Sequence, residues 1–200
     1  FVKQLDYCIT LGGDGTILSA LLHIRDSGVP ILGINLGRLG FLAGIEKKRI
    51  GEAVRLVRRG MYETEERGLL YLESNLPIFG QDRFALNDCT LLKRDTSSMI
   101  TNTLFSTELT SIIFPDSNSF VITPVAPHNL NVRPIVISDD SIISFEVEGR
   151  AESFLCTLDS RSEAITSAHQ LAVRKNDFTI KLIRIPGAGF LETMREKMNW

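Results

Sequence analysis

Gly12-Gly13-Asp14-Gly15-Thr16 stands between a short apolar run and a helix-like pattern, and it constrains the chain more than any other segment. Tyr7-Cys8-Ile9-Thr10-Leu11 reads as a buried strand ending at the glycines, and 16–27 as the helix that follows. Glycines in such a turn let backbone N–H groups approach a phosphate, and the helix dipole favours negative charge there. An aspartate inside the loop repels phosphate. It fits a carboxylate that binds a metal, or one that takes a proton from a hydroxyl attacking the phosphate. Taken alone, the motif also fits a tight strand–helix turn in which Asp14 caps the helix.

The pattern after the glycines alternates helix and strand. Ile17, Leu18, Leu21, Leu22 and Arg25 follow helical spacing, and Ser27-Gly28 closes the helix. Val29 to Ile34 is a second strand-like run. Ile50, Ala53, Val54 and Val57 form an amphipathic helix, with Arg58 and Arg59 at its negative end and Gly60 as its cap. Strand, helix, strand, helix predicts a parallel, Rossmann-like α/β domain over 1–61.

The character changes near residue 61. Ile143, Phe145 and Val147 alternate with polar residues, as do Phe154, Cys156 and Leu158, and Phe178, Ile180 and Leu182. Asp139-Asp140 and Asn176-Asp177 read as turns. A β-sandwich-like domain is expected over 62–185. In 186–200, Met194 and Met198 share a face with Phe190 or Leu191, and a closing helix returning to the first domain is expected.

Composition excludes several functions. Lys plus Arg number 22 against 24 Asp plus Glu, so no overall field attracts nucleic acid. Arg55, Arg58 and Arg59 read as a solvated helix end. There is no apolar run of about 18 residues, so no membrane span is expected, and the first residues do not resemble a secretory signal. Cys8, Cys89 and Cys156 lie far apart in apolar runs, which suits buried reduced thiols and a cytoplasmic setting. His23 and His169 show no metal-ligand spacing.

Two further segments belong with the first loop. Leu32-Gly33-Ile34-Asn35-Leu36-Gly37-Arg38-Leu39-Gly40-Phe41-Leu42 follows a strand, so it reaches the same carboxyl edge of the sheet, where open α/β sheets bind ligands. Arg38 suits a phosphate contact and Phe41 an aromatic pocket; a surface arginine and a core phenylalanine are the alternatives. Asn87-Asp88 offers hydrogen bonds to ribose hydroxyls or a base edge, or marks a turn.

Together these residues resemble the NAD kinase family. The resemblance is carried by Leu11-Gly12-Gly13-Asp14-Gly15-Thr16, by the stretch from Gly33 to Leu42, by Asn87-Asp88, by Ser97-Ser98-Met99, and by Pro127-His128-Asn129-Leu130 with Arg133-Pro134. It implies transfer of the ATP γ-phosphate to the 2′-hydroxyl of the adenosine ribose of NAD, with Mg²⁺ on the ATP phosphates. It makes Asp14 the general base. Gly12, Gly13, Gly15 and Thr16 match the phosphate-proximal loop, and Phe41 the aromatic residue beside adenine. Asn87 matches the asparagine of an Asn-Glu pair that holds the dinucleotide, and Asp88 stands one methylene short of the commoner glutamate. The family forms dimers or tetramers. Other kinases carry the same short glycine motif and act on lipids or sugar phosphates. They are one alternative, and a non-catalytic dinucleotide-binding protein is another.

Two departures stand out. Only eleven residues precede Gly12, where the family has a further α/β portion. The family's Ser-Thr-Pro-Thr-Gly-Ser-Thr-Ala-Tyr type of segment has no full counterpart after Ser97-Ser98-Met99, although Phe105-Ser106-Thr107 matches its start. Asp159-Ser160-Arg161 resembles a late family segment, either edging the dinucleotide site of a neighbouring subunit or forming a surface ion pair. His128 reads as a packed residue supporting the Arg133-Pro134 turn.

Overall fold

The computed structural model describes residues 2–37, 40–93, 101–103, 117–125, 133–147, 153–187, 193–195 and 197. Arg38, Ser97-Ser98-Met99, Phe105-Ser106-Thr107 and Pro127-His128-Asn129-Leu130 lie outside them.

In chain order, β1 (Cys8–Leu11), α1 (Asp14–Ile24), β2 (Ile31–Asn35), β3 (Ile45–Glu46), α2 (Ile50–Arg58) and β4 (Glu63–Arg67) come first. They are followed by β5 (Leu70–Ser74), β6 (Phe84–Ala85), β7 (Cys89–Lys93), β8 (Thr101–Thr103), β9 (Ser119–Val125) and β10 (Ile135–Ser138). The last strands are β11 (Ile143–Glu146), β12 (Phe154–Leu158), β13 (Arg161–Ile165), β14 (Gln170–Lys175) and β15 (Ile180–Arg184).

Two compact units result, one from 1–67 with 178–200 and one from 68–177. This division differs from the one drawn at residues 61 and 185, because β4 and β15 join the first sheet. That sheet runs β1-β2-β15-β4, with β3 also on β2. β1, β3 and β15 are parallel to β2, and β4 is antiparallel to β15. The parallel arrangement expected from the strand–helix alternation is present.

All five positions of β2 are buried, as befits a strand with neighbours on both edges. β1 differs from the expectation of a buried strand. Among the described strands it is outermost, and Ile9 and Leu11, on one face, are 44% and 58% exposed while Thr10, on the other, is buried. Leu32, Ile34, Ile45, Ala53, Val57, Ile183 and Ile185 form one core of this unit. Residues 193–195 and 197 are helical, and Met194 is buried.

The second unit has a six-stranded sheet, β10-β9-β8-β7-β12-β13, and a four-stranded sheet, β11-β14-β5-β6. Leu72, Leu171 and Val173 of the smaller sheet share a core with Cys89, Phe154, Cys156, Leu158 and Ile165 of the larger. This is the sandwich-like layering that the alternation predicts. Cys89 and Cys156 are buried free thiols, while Cys8 is half-buried.

Close packing sets the seat of α1. A Cβ on Gly33 of β2 would stand 2.6 Å from Ile17 Cδ1 and 3.0 Å from Ala43 Cα. Gly33→Ala is therefore expected to lower stability by about 1–3 kcal/mol, the usual cost of overpacking. Ile17→Val in the same chain should return part of it, and urea unfolding of the two single variants and the double variant measures the coupling.

Candidate active site

The turn from β1 into α1 holds its shape through Gly12 and Asp14. Gly12 sits at φ +156°, and a Cβ there would lie 2.1 Å from Thr16 Oγ1. Its N–H donates to the Ile34 carbonyl at 2.9 Å, tying the turn to β2. Gly13 and Gly15 are different: a Cβ on either would meet nothing within 4 Å among the described residues. Gly13, Gly15 and Thr16 are exposed, around the amino end of an eleven-residue helix.

Asp14 does not cap that helix, which has no side-chain cap hydrogen bond. Its carboxylate turns instead to the second glycine-rich segment. Oδ2 accepts from the Phe41 N–H at 2.9 Å, and Oδ1 accepts from Leu42 at 3.1 Å and Ala43 at 2.9 Å. Three consecutive amides thus converge on one carboxylate. Such charge-assisted bonds are among the stronger hydrogen bonds in proteins. Gly40 makes room for the approach, since a Cβ there would stand 1.9 Å from Asp14 Oδ1.

The same segment is held by its carbonyls. Arg184 of β15 donates to Phe41 O and Leu42 O, both at 3.2 Å. Its Nε donates to Glu65 of β4 at 2.5 Å, and Glu65 also pairs with the buried Arg67. Asn35, buried at the end of β2, accepts from the Gly37 N–H at 2.7 Å and reaches the Ala43 carbonyl at 3.5 Å. Phe41 is half-buried, with Lys197 Nζ 4.3 Å from its ring centroid. Lys197 of the helical end thus touches the second glycine-rich segment. At the carboxyl end of β2, Asn35, Leu36, Gly37, Glu46, Lys47 and Lys48 line a depression of about 530 Å³.

In the second unit, Asn87 and Asp88 lie on the loop between β6 and β7. Asn87 is exposed and Asp88 half-buried. Burial, and then the nearby negative charge of Asp159, push the Asp88 carboxyl up to about 6. The neighbouring Cys89 thiol is pushed well up by its hydrogen bond with Cys156 and by burial. Asp159 is neither a free surface residue nor half of an exposed ion pair. It accepts from the backbone N–H groups of Leu86, Asn87 and Asp88.

Against known proteins, residues 2–62 match the ATP-NAD kinase N-terminal domain and 110–185 the ATP-NAD kinase C-terminal domain. The NAD kinase of Flavobacterium johnsoniae is 42% identical, over 99% of this chain and 77% of its own. That of Cytophaga hutchinsonii is 39% identical, over 98% and 76%. The chain belongs to the NAD kinase family. Its fold is that of yeast NADH kinase solved with NADH, at TM-score 0.83 and 19% identity, over 98% of this chain and 66% of that one. An NAD kinase from Archaeoglobus fulgidus solved with ATP superposes at TM-score 0.74 and 21% identity, over 96% and 84%.

The sequence points to Asp14, the loop glycines, Phe41 and Asn87-Asp88, but not to Arg184, Glu65 or the inward role of Asp159. No local spacing signals those partners, which lie 71 to 143 residues from the loop groups they hold. Thr16, expected at the phosphate-proximal loop, is exposed on the first turn of α1.

Two outcomes follow from this geometry. Gly40→Ala should lower turnover by about 10²-fold, the scale of an ångström-sized misplacement in an active site, and should also lower the unfolding midpoint, because displacing the carboxylate unpairs the amides it holds; steady-state assay of NADP formation and thermal unfolding check both. Asp88→Asn should raise stability at pH 8. The folded carboxyl titrates near 6, above its unfolded value, so ionisation disfavours folding only at higher pH. The gain should fade as pH falls from about 6 toward 4, as read by Tm at each pH.

Proposed function

We propose that the chain transfers the γ-phosphate of ATP to the 2′-hydroxyl of the adenosine ribose of NAD, giving NADP. The observation that carries this reading is the Asp14 carboxylate, fixed by three amides of the second glycine-rich segment beside an exposed helix end. Its relatives among bacterial NAD kinases support the substrate and set aside a lipid or sugar acceptor. They also weigh against a non-catalytic dinucleotide-binding protein.

Each residue then has a task. The backbone at Gly12, Gly13 and Gly15, with Thr16, meets phosphate oxygens at the positive end of α1. Three of the Asp14 carboxylate's roughly four lone-pair sites are taken by amides, which leaves one on Oδ2 for the ribose hydroxyl. As that oxygen attacks the γ-phosphorus, Asp14 takes its proton and ADP departs. The fixed carboxylate supplies orientation, because phosphoryl transfer depends chiefly on positioning and on charge stabilisation. Phe41 offers its ring to adenine, and Asn87 and Asp88 offer hydrogen bonds to the dinucleotide. Arg38 keeps its proposed phosphate contact.

The described residues do not form a cage for Mg²⁺. No three His, Cys, Asp or Glu side chains among them converge on a metal position. The ion is assigned to the ATP phosphates, as part of the substrate. We further propose a cytoplasmic homodimer or homotetramer. Among the described residues, no helix is long and apolar enough to cross a membrane.

Asp14→Asn tests the central role. It should lower kcat by about 10²–10⁴, the usual contribution of a general base, while NAD binding changes little. Asparagine keeps one acceptor oxygen, enough for the two amides on Oδ1, so the loop is retained in large part. Equal losses in kcat and in NAD affinity by calorimetry would instead assign Asp14 to loop support alone.

A further inference from the structure

We infer that Asp159 is a positioning residue for dinucleotide binding: its carboxylate fixes the backbone loop that presents Asn87 and Asp88. The inference rests on the proposed role of those two residues as dinucleotide contacts. Asp159 occupies the turn between β12 and β13 at φ +54°, a conformation that aspartate and asparagine tolerate better than most residues. Leu158 stands opposite Cys89 in the β12–β7 register, which brings Asp159 alongside Asp88.

The contacts run both ways. Oδ2 of Asp159 accepts from the Leu86 N–H at 2.9 Å, and Oδ1 from Asn87 at 2.7 Å and Asp88 at 3.3 Å. The Asp159 N–H donates to the Asp88 carbonyl at 3.0 Å. Two residues further on, the Arg161 guanidinium donates to the carbonyls of Asp82 and Phe84. It also lies over the rings of Phe79 and Phe84, at 5.6 and 5.7 Å from their centroids. One hairpin therefore grips the amides of this loop with a carboxylate and, with a guanidinium, the carbonyls of Asp82 and Phe84 in the segment that leads into it. Such a grip suits a loop whose exposed Asn87 must hold one orientation, since irregular backbone has no ladder to satisfy its own polar groups.

The charge of Asp159 has a second effect. Among the groups around Asp88, Asp159 adds repulsion to the carboxylate, Cys89 is a neutral thiol, and Arg161 offsets Asp159 from the far side. An Asp88 that must be ionised to accept from a ribose hydroxyl will lose that contact as pH falls through about 6.

The experiment compares wild type, Asp159→Asn, Asp159→Glu and Asn87→Ala in the full chain, assaying NADP formation from NAD and ATP with Mg²⁺. Asp159→Asn keeps the turn but loses one acceptor oxygen and the charge. It should raise KM for NAD about ten-fold, while kcat and KM for ATP change less than about three-fold. The acid limb of kcat/KM for NAD, near pH 6 in wild type, should move to lower pH. Asp159→Glu should raise KM for NAD less than Asp159→Asn and leave the limb in place, because it retains the charge. An unchanged KM for NAD and an unmoved limb in folded Asp159→Asn overturn the inference. If that variant does not fold, an unchanged KM for NAD in Asp159→Glu overturns it. Asn87→Ala separates the two readings: with no effect on KM for NAD, the assignment of the loop to the dinucleotide fails. A raised KM there, with Asp159→Asn silent, defeats only the positioning role.

Discussion

A single carboxylate that accepts three consecutive backbone N–H groups organises each candidate site loop of this protein. Asp14 does this for 41–43 and Asp159 for 86–88. The physical need is the same in both places. A loop bent to present side chains to a ligand cannot pair its amides along a strand, and an unpaired buried amide costs about 1–3 kcal/mol. A carboxylate has two oxygens, no donor, and a charge that strengthens each bond. It can therefore hold several amides in a geometry that the backbone would not adopt alone.

An arginine holds backbone carbonyls in the first arrangement and just ahead of the second. Arg184 spans Phe41 and Leu42 and is itself anchored by Glu65. Arg161 spans Asp82 and Phe84. The fork of a guanidinium suits two carbonyls that point the same way, and it stays charged at any physiological pH. Both arginines come from strands, Arg184 from β15 and Arg161 from β13, so the backbone they hold takes its order from the sheets.

Much of this was legible in the chain. The alternation around Phe154, Cys156 and Leu158 marks β12 to the residue, and the spacing of Ile50, Ala53 and Val57 marks α2. Local period carries that information because burial repeats with the element. β4 was harder to place. Glu63-Thr64-Glu65-Glu66-Arg67 looks like a solvated run, yet it pairs with β15 and places Glu65 on Arg184. Its pattern answers to a partner more than a hundred residues away. The outer position of β1 among the described strands is hidden for a related reason: its sequence is apolar enough for the interior, and only the strand order shows where it lies. Asp159 and Arg161 could be noticed as charges, but their loop partners depend on the β7–β12 register.

The glycines separate what the fold requires from what a ligand would require. A side chain at Gly12 would strike Thr16, one at Gly33 would strike Ile17, and one at Gly40 would strike the Asp14 carboxylate. Those three are explained by contacts inside the first unit. Gly13 and Gly15 are not, because no described residue lies where their Cβ atoms would be and neither has a positive φ. A helix start ordinarily favours Ser, Asp or Asn at its cap, worth roughly a few tenths of a kcal/mol over glycine. The chain forgoes that at Gly13 and leaves the end of α1 without a side-chain cap. Bare backbone at these two positions relieves no internal clash among the described residues, and in the proposed function it is what lets the phosphates of ATP come close to the end of α1.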